Sequence, residues 1–339
     1  MEAAAPTNFL PPAGSRRQVQ VPLAEGEVAL IPLIELRGAK PGPRLAIVAE
    51  QHGMELNGVV ASCKLLAELD PDRLAGQLLV APLANPLAYA RRRHFATQEA
   101  EEPYSSDDPH NMNRTWPGQA QGNSTQRLSA ALWQAGIAQA DVVLDLHCWE
   151  DLGCSATLAT EDQLELARAF GLPRIEVGPR ITSDSGRPEA RMLLHTCLAA
   201  GKQALTVELA GQYRVYPRSV AEGLRGLRNV LAHLGMYDFE QVLPQRCYVS
   251  SQCQRLTVTT PVAGVFEPAL LPGAEVAEGE LLATVWAPGE ALRVELRAPA
   301  TGLVESLGPL RPHGDIRLTP HHAGLAEGEG AARLLVQAC

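Results

Sequence analysis

His52 and Glu55, two residue types that bind metal ions, stand three positions apart directly after the apolar run Arg44 to Ala49. A helical turn where the chain leaves that run would put both side chains on one face. His147 closes a second run beginning at Asp141, and Glu208 lies near the end of a third, Leu205 to Leu209. Two imidazoles and one carboxylate match the ligands of a catalytic zinc, which keeps a fourth position for water. Glu208 is then left over as a base. Either histidine alone also fits a core position satisfied by backbone, and H-x-x-E recurs by accident, so the case rests on four placements converging. Asp145 falls on the same side of a strand as His147, where it either orients a ligand or is itself capped by backbone.

The segment Asn111 to Gly118, NMNRTWPG, has no helical or strand period and reads as a loop. Its Arg114 offers a planar fork that takes a carboxylate through two hydrogen bonds, with Asn113 beside it as a further donor; an arginine facing water is the alternative.

These residues need a scaffold that gathers strand ends. The apolar runs Arg44 to Ala49, Leu78 to Pro82, Val142 to Leu146 and Leu205 to Leu209 suit strands covered on both faces. Helical spacing separates them at Gly58 to Leu69, Thr125 to Ala135, Glu161 to Phe170 and Glu189 to Ala200. That alternation predicts an α/β domain with a largely parallel sheet, whose strand carboxyl ends meet in one crevice. Residues 1 to about 20 read as an irregular lead-in, followed by a hairpin of VQVPLA and VALIPLIEL about a turn at Glu25 to Glu27. From about residue 245 the texture becomes short β-like pieces broken by Gly and Pro, which predicts a smaller all-β domain over 245–339 after a catalytic domain over 1–244.

Composition narrows the partners. With 46% hydrophobic residues the chain has ample material for a core, and its net charge of -9 offers no basic face to a phosphate backbone, so nucleic acid is not an expected partner. No run reaches the apolar length of a membrane span, and the first residues lack a signal peptide's basic start and apolar centre, so the expected location is the cytoplasm. Seven widely spaced cysteines without a C-x-x-C pair fit a reducing compartment. Lysine occurs only at Lys40, Lys64 and Lys202, which removes most candidates for a Schiff-base residue.

In order, EQHGMELNG, NPLAYARRRHF, NMNRTWPG, DLHC and TVELAG resemble the succinylglutamate desuccinylase/aspartoacylase family, itself similar to zinc carboxypeptidases. The resemblance implies a mixed, largely parallel sheet flanked by helices, one zinc held by His52, Glu55 and His147, Glu208 as general base, and Asn113 and Arg114 on the substrate's carboxylate. It also implies a carbonyl-polarising arginine shortly before the Asn-Arg pair. Arg93 is preferred for that role, with Arg91 and Arg92 left open. The first motif departs from the family in having Gln rather than Gly before the histidine, and VELAG replaces a commoner ending, but no ligand is lost. The C-terminal part resembles lipoyl/biotinyl folds, yet no lysine follows Lys202, so a carrier role is excluded. The expected activity is hydrolysis of a small N-acyl amino acid; a zinc carboxypeptidase or a non-catalytic binding module are the competing readings. Assembly into a homo-oligomer stays open.

Overall fold

The computed structural model describes residues 8–11, 14–23, 27–99, 105–106, 108–150, 152–310 and 323–338. The larger, N-terminal part contains strands β1 (Ser15–Pro22), β2 (Val28–Arg37), β3 (Lys40–Ala49), β4 (Ala75–Ala81), β5 (Val142–Trp149), β6 (Ala156–Ala159), β7 (Arg174–Val177), β8 (Gln203–Ala210) and β9 (Tyr248–Val249). Its helices are α1 (Asn57–Glu68), α2 (Pro86–Arg91), α3 (Ser124–Ala135), α4 (Leu164–Phe170), α5 (Leu193–Ala199) and α6 (Pro217–His233). The strands form one nine-stranded sheet in the order β1-β2-β4-β3-β5-β8-β6-β7-β9. Its centre, β4-β3-β5-β8, is parallel, while β1, β2 and β6 join antiparallel. The mixed, largely parallel sheet is therefore as expected. β1 starts at Ser15, earlier than an irregular lead-in to residue 20 allowed, because Arg17 on this edge strand pairs with Glu35 of β2 at 2.8 Å. The expected turn at Glu25 to Glu27 lies, apart from Glu27, outside the described residues.

The period-two alternation of the central strands divides their side chains between two cores. Leu45, Ile47, Leu144, Leu146, Leu205 and Val207 join α1, α4 and α6. Ala46, Val48, Val143 and Ala204 join α3 and α5. Asp145 and His147 share the parity of Val143, and Thr206 and Glu208 that of Ala204, so the polar residues emerge at the carboxyl end of the α3/α5 side. β3, β5 and β8 are consecutive in the sheet, and His147 stands in register with Glu208.

After β9 come two four-stranded antiparallel sheets, built from β10 (Cys253–Thr259), β11 (Gly264–Pro268), β12 (Glu275–Val276), β13 (Leu281–Ala287), β14 (Leu292–Arg297), β15 (Gly302–Leu307), β16 (Gly324–Leu325) and β17 (Gly330–Gln337). The boundary expected at 245 falls in the loop before β9, which still pairs with β7. β15 grips the loop that follows β5: Cys154 N–H donates to the Glu305 carbonyl at 2.9 Å, and Leu307 N–H to that of Leu152 at 2.9 Å. Buried Arg174 of β7 ion-pairs with buried Glu305 at 2.6 Å, and its guanidinium lies 4.6 Å over the Trp149 ring. Among the described residues, no helix is long and apolar enough to cross a membrane.

Candidate active site

β3 ends where Glu50 takes a left-handed φ of 60°, which turns the chain off the strand and into the crevice. The turn that follows carries His52 and Glu55, both buried. Glu55 is the hub. Its Oε1 is 2.9 Å from His52 Nδ1, its Oε2 is 2.9 Å from His147 Nδ1, and Oε2 also accepts the Cys148 N–H at 3.1 Å. The far nitrogen of each imidazole faces an oxygen: His52 Nε2 is 3.1 Å from Asn111 Oδ1, and His147 Nε2 is 3.1 Å from Asp145 Oδ2. With Nε2 protonated toward those oxygens, each Nδ1 lone pair faces one oxygen of the Glu55 carboxylate. Two neutral imidazoles and a carboxylate, with the outer nitrogens so anchored, fit a divalent metal ion. Asp145 is held in turn by Gln51, whose Nε2 donates to it at 2.6 Å while its Oε1 accepts the Trp116 indole N–H at 2.8 Å.

Charge follows this packing. Burial alone would raise the Glu55 carboxyl, but the adjacent His52 and His147 outweigh it and hold Glu55 well below the usual carboxylate range. Burial likewise opposes a charged His147, yet Asp145 and Glu55 raise its imidazole well above its ordinary value. An ion taken up by Nδ1 must therefore displace a proton from His147, and that proton leaves more easily as pH rises. We expect apparent metal affinity to increase as pH rises through and above the ordinary imidazole range, with proton release seen by calorimetry in buffers of different ionisation heat. A pH-independent affinity would overturn the Nδ1 assignment.

Glu208, on the strand beside His147, is half-buried. Burial raises its carboxyl to about 8; His147 opposes the rise, while the negative Glu55 and Asp145 reinforce it. A cation at the Glu55 hub would favour its ionised form. Asn113 is buried: its Oδ1 accepts the Leu193 N–H at 3.0 Å, and its Nδ2 lies 3.2 Å from His147 Nε2. Arg114 donates from Nη1 to the Asn113 carbonyl at 2.9 Å, and its buried Nε has no hydrogen-bond partner among the described residues.

Arg91 and Arg92 are exposed and Arg93 is half-buried, and among the described residues none of the three guanidiniums hydrogen-bonds to His52, Glu55, His147 or Glu208. What this segment brings to the site is His94, which sequence reasoning passed over. Its buried ring stacks on His52 with centroids 4.2 Å apart, and donor atoms of His52, Glu55 and His94 lie within 4.8 Å of one another. Gln212 was also missed; its Nε2 is 3.4 Å from both Glu55 Oε1 and His94 Nδ1.

The profile of the succinylglutamate desuccinylase/aspartoacylase catalytic domain matches residues 41–234. The N-alpha-acetyl-L-2,4-diaminobutyric acid deacetylase of Halomonas elongata is 27% identical over 286 residues, or 79% of this chain and 78% of the relative. The product-bound structure of the ectoine utilization protein EutE (DoeB) from Ruegeria pomeroyi is 25% identical, with a TM-score of 0.66 over 96% of this chain and 95% of that one. A metallo-carboxypeptidase from Burkholderia cenocepacia shares the fold, with a TM-score of 0.50 at 18% identity over 66% of this chain and 65% of its own.

Proposed function

Because the chain belongs to the succinylglutamate desuccinylase/aspartoacylase family, we propose that it is a deacylase that hydrolyses the amide bond of a small N-acyl amino acid. One zinc ion is held by His52, Glu55 and His147, with Glu208 as general base. The observation that carries this reading is the convergence of two Nδ1 atoms on the two oxygens of one carboxylate, each at 2.9 Å. Zinc in such a site supplies Lewis acidity toward water and the amide carbonyl. Glu208 takes the proton of the attacking water and returns it to the leaving amine, giving a carboxylate and a free amine. Asp145 and Asn111 keep the imidazoles in the ligating tautomer. Gln51 and Trp116 hold Asp145 in place.

Arg114 receives the substrate's carboxylate, because its buried Nε is a donor still to be satisfied. Asn113, tied to Leu193 through its Oδ1 and to the Arg114 guanidinium through its carbonyl, keeps its amide hydrogens for the same carboxylate. A charge-assisted hydrogen bond of this kind is worth about 1.5–3 kcal/mol, roughly tenfold to a hundredfold in affinity. Arg114→Lys keeps the charge and loses the fork. We expect it to weaken binding of the acid while leaving a carboxamide analogue nearly unaffected. Equal preference in wild type and variant would move carboxylate recognition to another arginine.

The activity itself is tested by amine release from N-acetyl, N-succinyl and N-formyl amino acids and from short peptides by the zinc-loaded protein. The deacetylase of Halomonas elongata supports starting with acetyl. Release from acyl amino acids is the expected result; release from peptides alone would replace this reading with a carboxypeptidase.

A further inference from the structure

We propose that the side-chain amide of Gln212 donates a hydrogen bond to the oxygen of the scissile carbonyl as negative charge builds on it, which makes Gln212 a catalytic residue. The inference rests on the deacylase reading above and gives a role to a residue that reading leaves without one. When water attacks the amide, a carbon–oxygen bond forms, the carbonyl π pair moves onto oxygen and the water's proton passes to Glu208. The pair returns from oxygen as the carbon–nitrogen bond breaks and the amine takes the proton. A donor speeds this exchange if it is already in place when the charge appears, because nothing then has to reorganise.

The backbone of Gln212 is fixed from two sides. β8, which carries Glu208, ends at Ala210, and Gly211 turns the chain with a φ of 96°; a Cβ there would stand 2.4 Å from the Tyr216 ring. The Trp149 carbonyl accepts the Gly211 and Gln212 N–H groups at 3.1 and 2.9 Å. Buried Asn57 closes the loop from the other side. Its Nδ2 donates to the Gly211 and Arg214 carbonyls at 2.8 and 3.0 Å, and its Oδ1 accepts the Tyr216 N–H at 2.8 Å. Asn57 opens α1 two residues after Glu55, so one stretch of chain bears the hub of the cluster and holds the loop of Gln212. The side chain is engaged far more weakly. Its Nε2 lies 3.4 Å from Glu55 Oε1 and from His94 Nδ1, at the outer limit of hydrogen bonding, and His52 already approaches the same Oε1 at 2.9 Å. Gln212 is half-buried while Tyr213, Arg214 and Val215 after it are exposed, so its amide lies on the solvent side of an otherwise buried hub. A firm backbone and a weakly committed amide suit a preformed donor, which gives up little when it turns to a substrate oxygen.

The test uses full-length, zinc-loaded wild type, Gln212→Glu and Gln212→Ala, each checked for fold by circular dichroism, with the N-acyl amino acid that wild type hydrolyses fastest. Both variants are expected to lower kcat about 10²-fold or more, as loss of one such donor does. KM, and zinc affinity measured by competition with a chromogenic chelator, should each stay within about threefold of wild type. Calorimetry supplies a readout apart from turnover: affinity for the phosphonyl analogue of that substrate, whose charged oxygens surround a tetrahedral phosphorus, should fall in step with kcat/KM, and affinity for the amino acid product should not. Turnover within about twofold of wild type in Gln212→Ala would overturn the assignment. Zinc affinity that fell in parallel with kcat would overturn it too, because Gln212 would then act through Glu55 and not on the substrate. The two levels separate in wild type. Failure to release amine from any acyl amino acid removes the deacylase reading and this inference with it, whereas turnover indifferent to Gln212 removes the inference alone.

Discussion

Glu208→Gln is expected to keep its metal and lose hydrolysis by about 10²-fold or more, since a positioned general base contributes typically 10²–10⁴. The substitution preserves shape and removes only the proton-accepting charge. Glu208 is suited to the role by its position, one strand over from His147 and in register with it. Its carboxyl is raised to about 8 by burial, so the ion-free protein holds a proton there through neutral pH. The sign follows: activity should climb as pH rises and the carboxyl ionises, and bound metal should move that limb to lower pH. Steady-state rates across pH, with metal content measured on the same samples, check both statements. Wild-type turnover in Glu208→Gln would transfer the base role to another carboxylate.

Removing both imidazoles, in a His52→Ala, His147→Ala double variant, is expected to abolish metal binding and with it activity. Glu55 would then be the sole survivor of the three ligands, and a lone carboxylate holds zinc poorly against water. Both histidines are buried beside Glu55, so the folded state also loses partners for a buried charge. Elemental analysis of the folded fraction decides the matter; undiminished zinc there would refute the ligand set.

Much of this centre is legible in the chain because strands report their faces by alternation. Asp145 and His147, then Thr206 and Glu208, are polar intrusions at every second position of otherwise apolar runs, in step with Val143 and Ala204. Adjacency of β3, β5 and β8 then brings them together. His94 was hidden for a different reason. It follows three arginines, and its inward direction depends on a left-handed cap at Arg92 and on the close approach at Gly53, both products of tertiary packing. The same segment suggested that an arginine would enter the site; Arg91 and Arg92 are exposed, and Arg93 is half-buried.

The longest helix, α6, was also missed. Its PRSVAEGLRGLRNVLAH contains two glycines, which weaken a helical pattern. Gly226 is there because a Cβ would stand 2.1 Å from the Phe170 ring, so the glycine's weak helix propensity, about 1 kcal/mol relative to alanine, is outweighed by packing two helices close together.

The contact between Arg174 and Glu305 limits how this molecule can be rearranged by recombination. Arg174 belongs to the large sheet, and the carboxylate that neutralises it comes from the C-terminal strands. Trp149, beneath that guanidinium, accepts the Gly211 and Gln212 N–H groups on its carbonyl, and Gln212 reaches Glu55. Breaking a buried pair by removing one partner costs about 3–5 kcal/mol, and Glu176, 3.1 Å away, would keep the loss near the lower end. Domains of this size have about 5–15 kcal/mol in total. A gene fusion that exchanged the C-terminal strands for those of a relative would therefore keep its full stability only if the incoming segment carried an acid at this position.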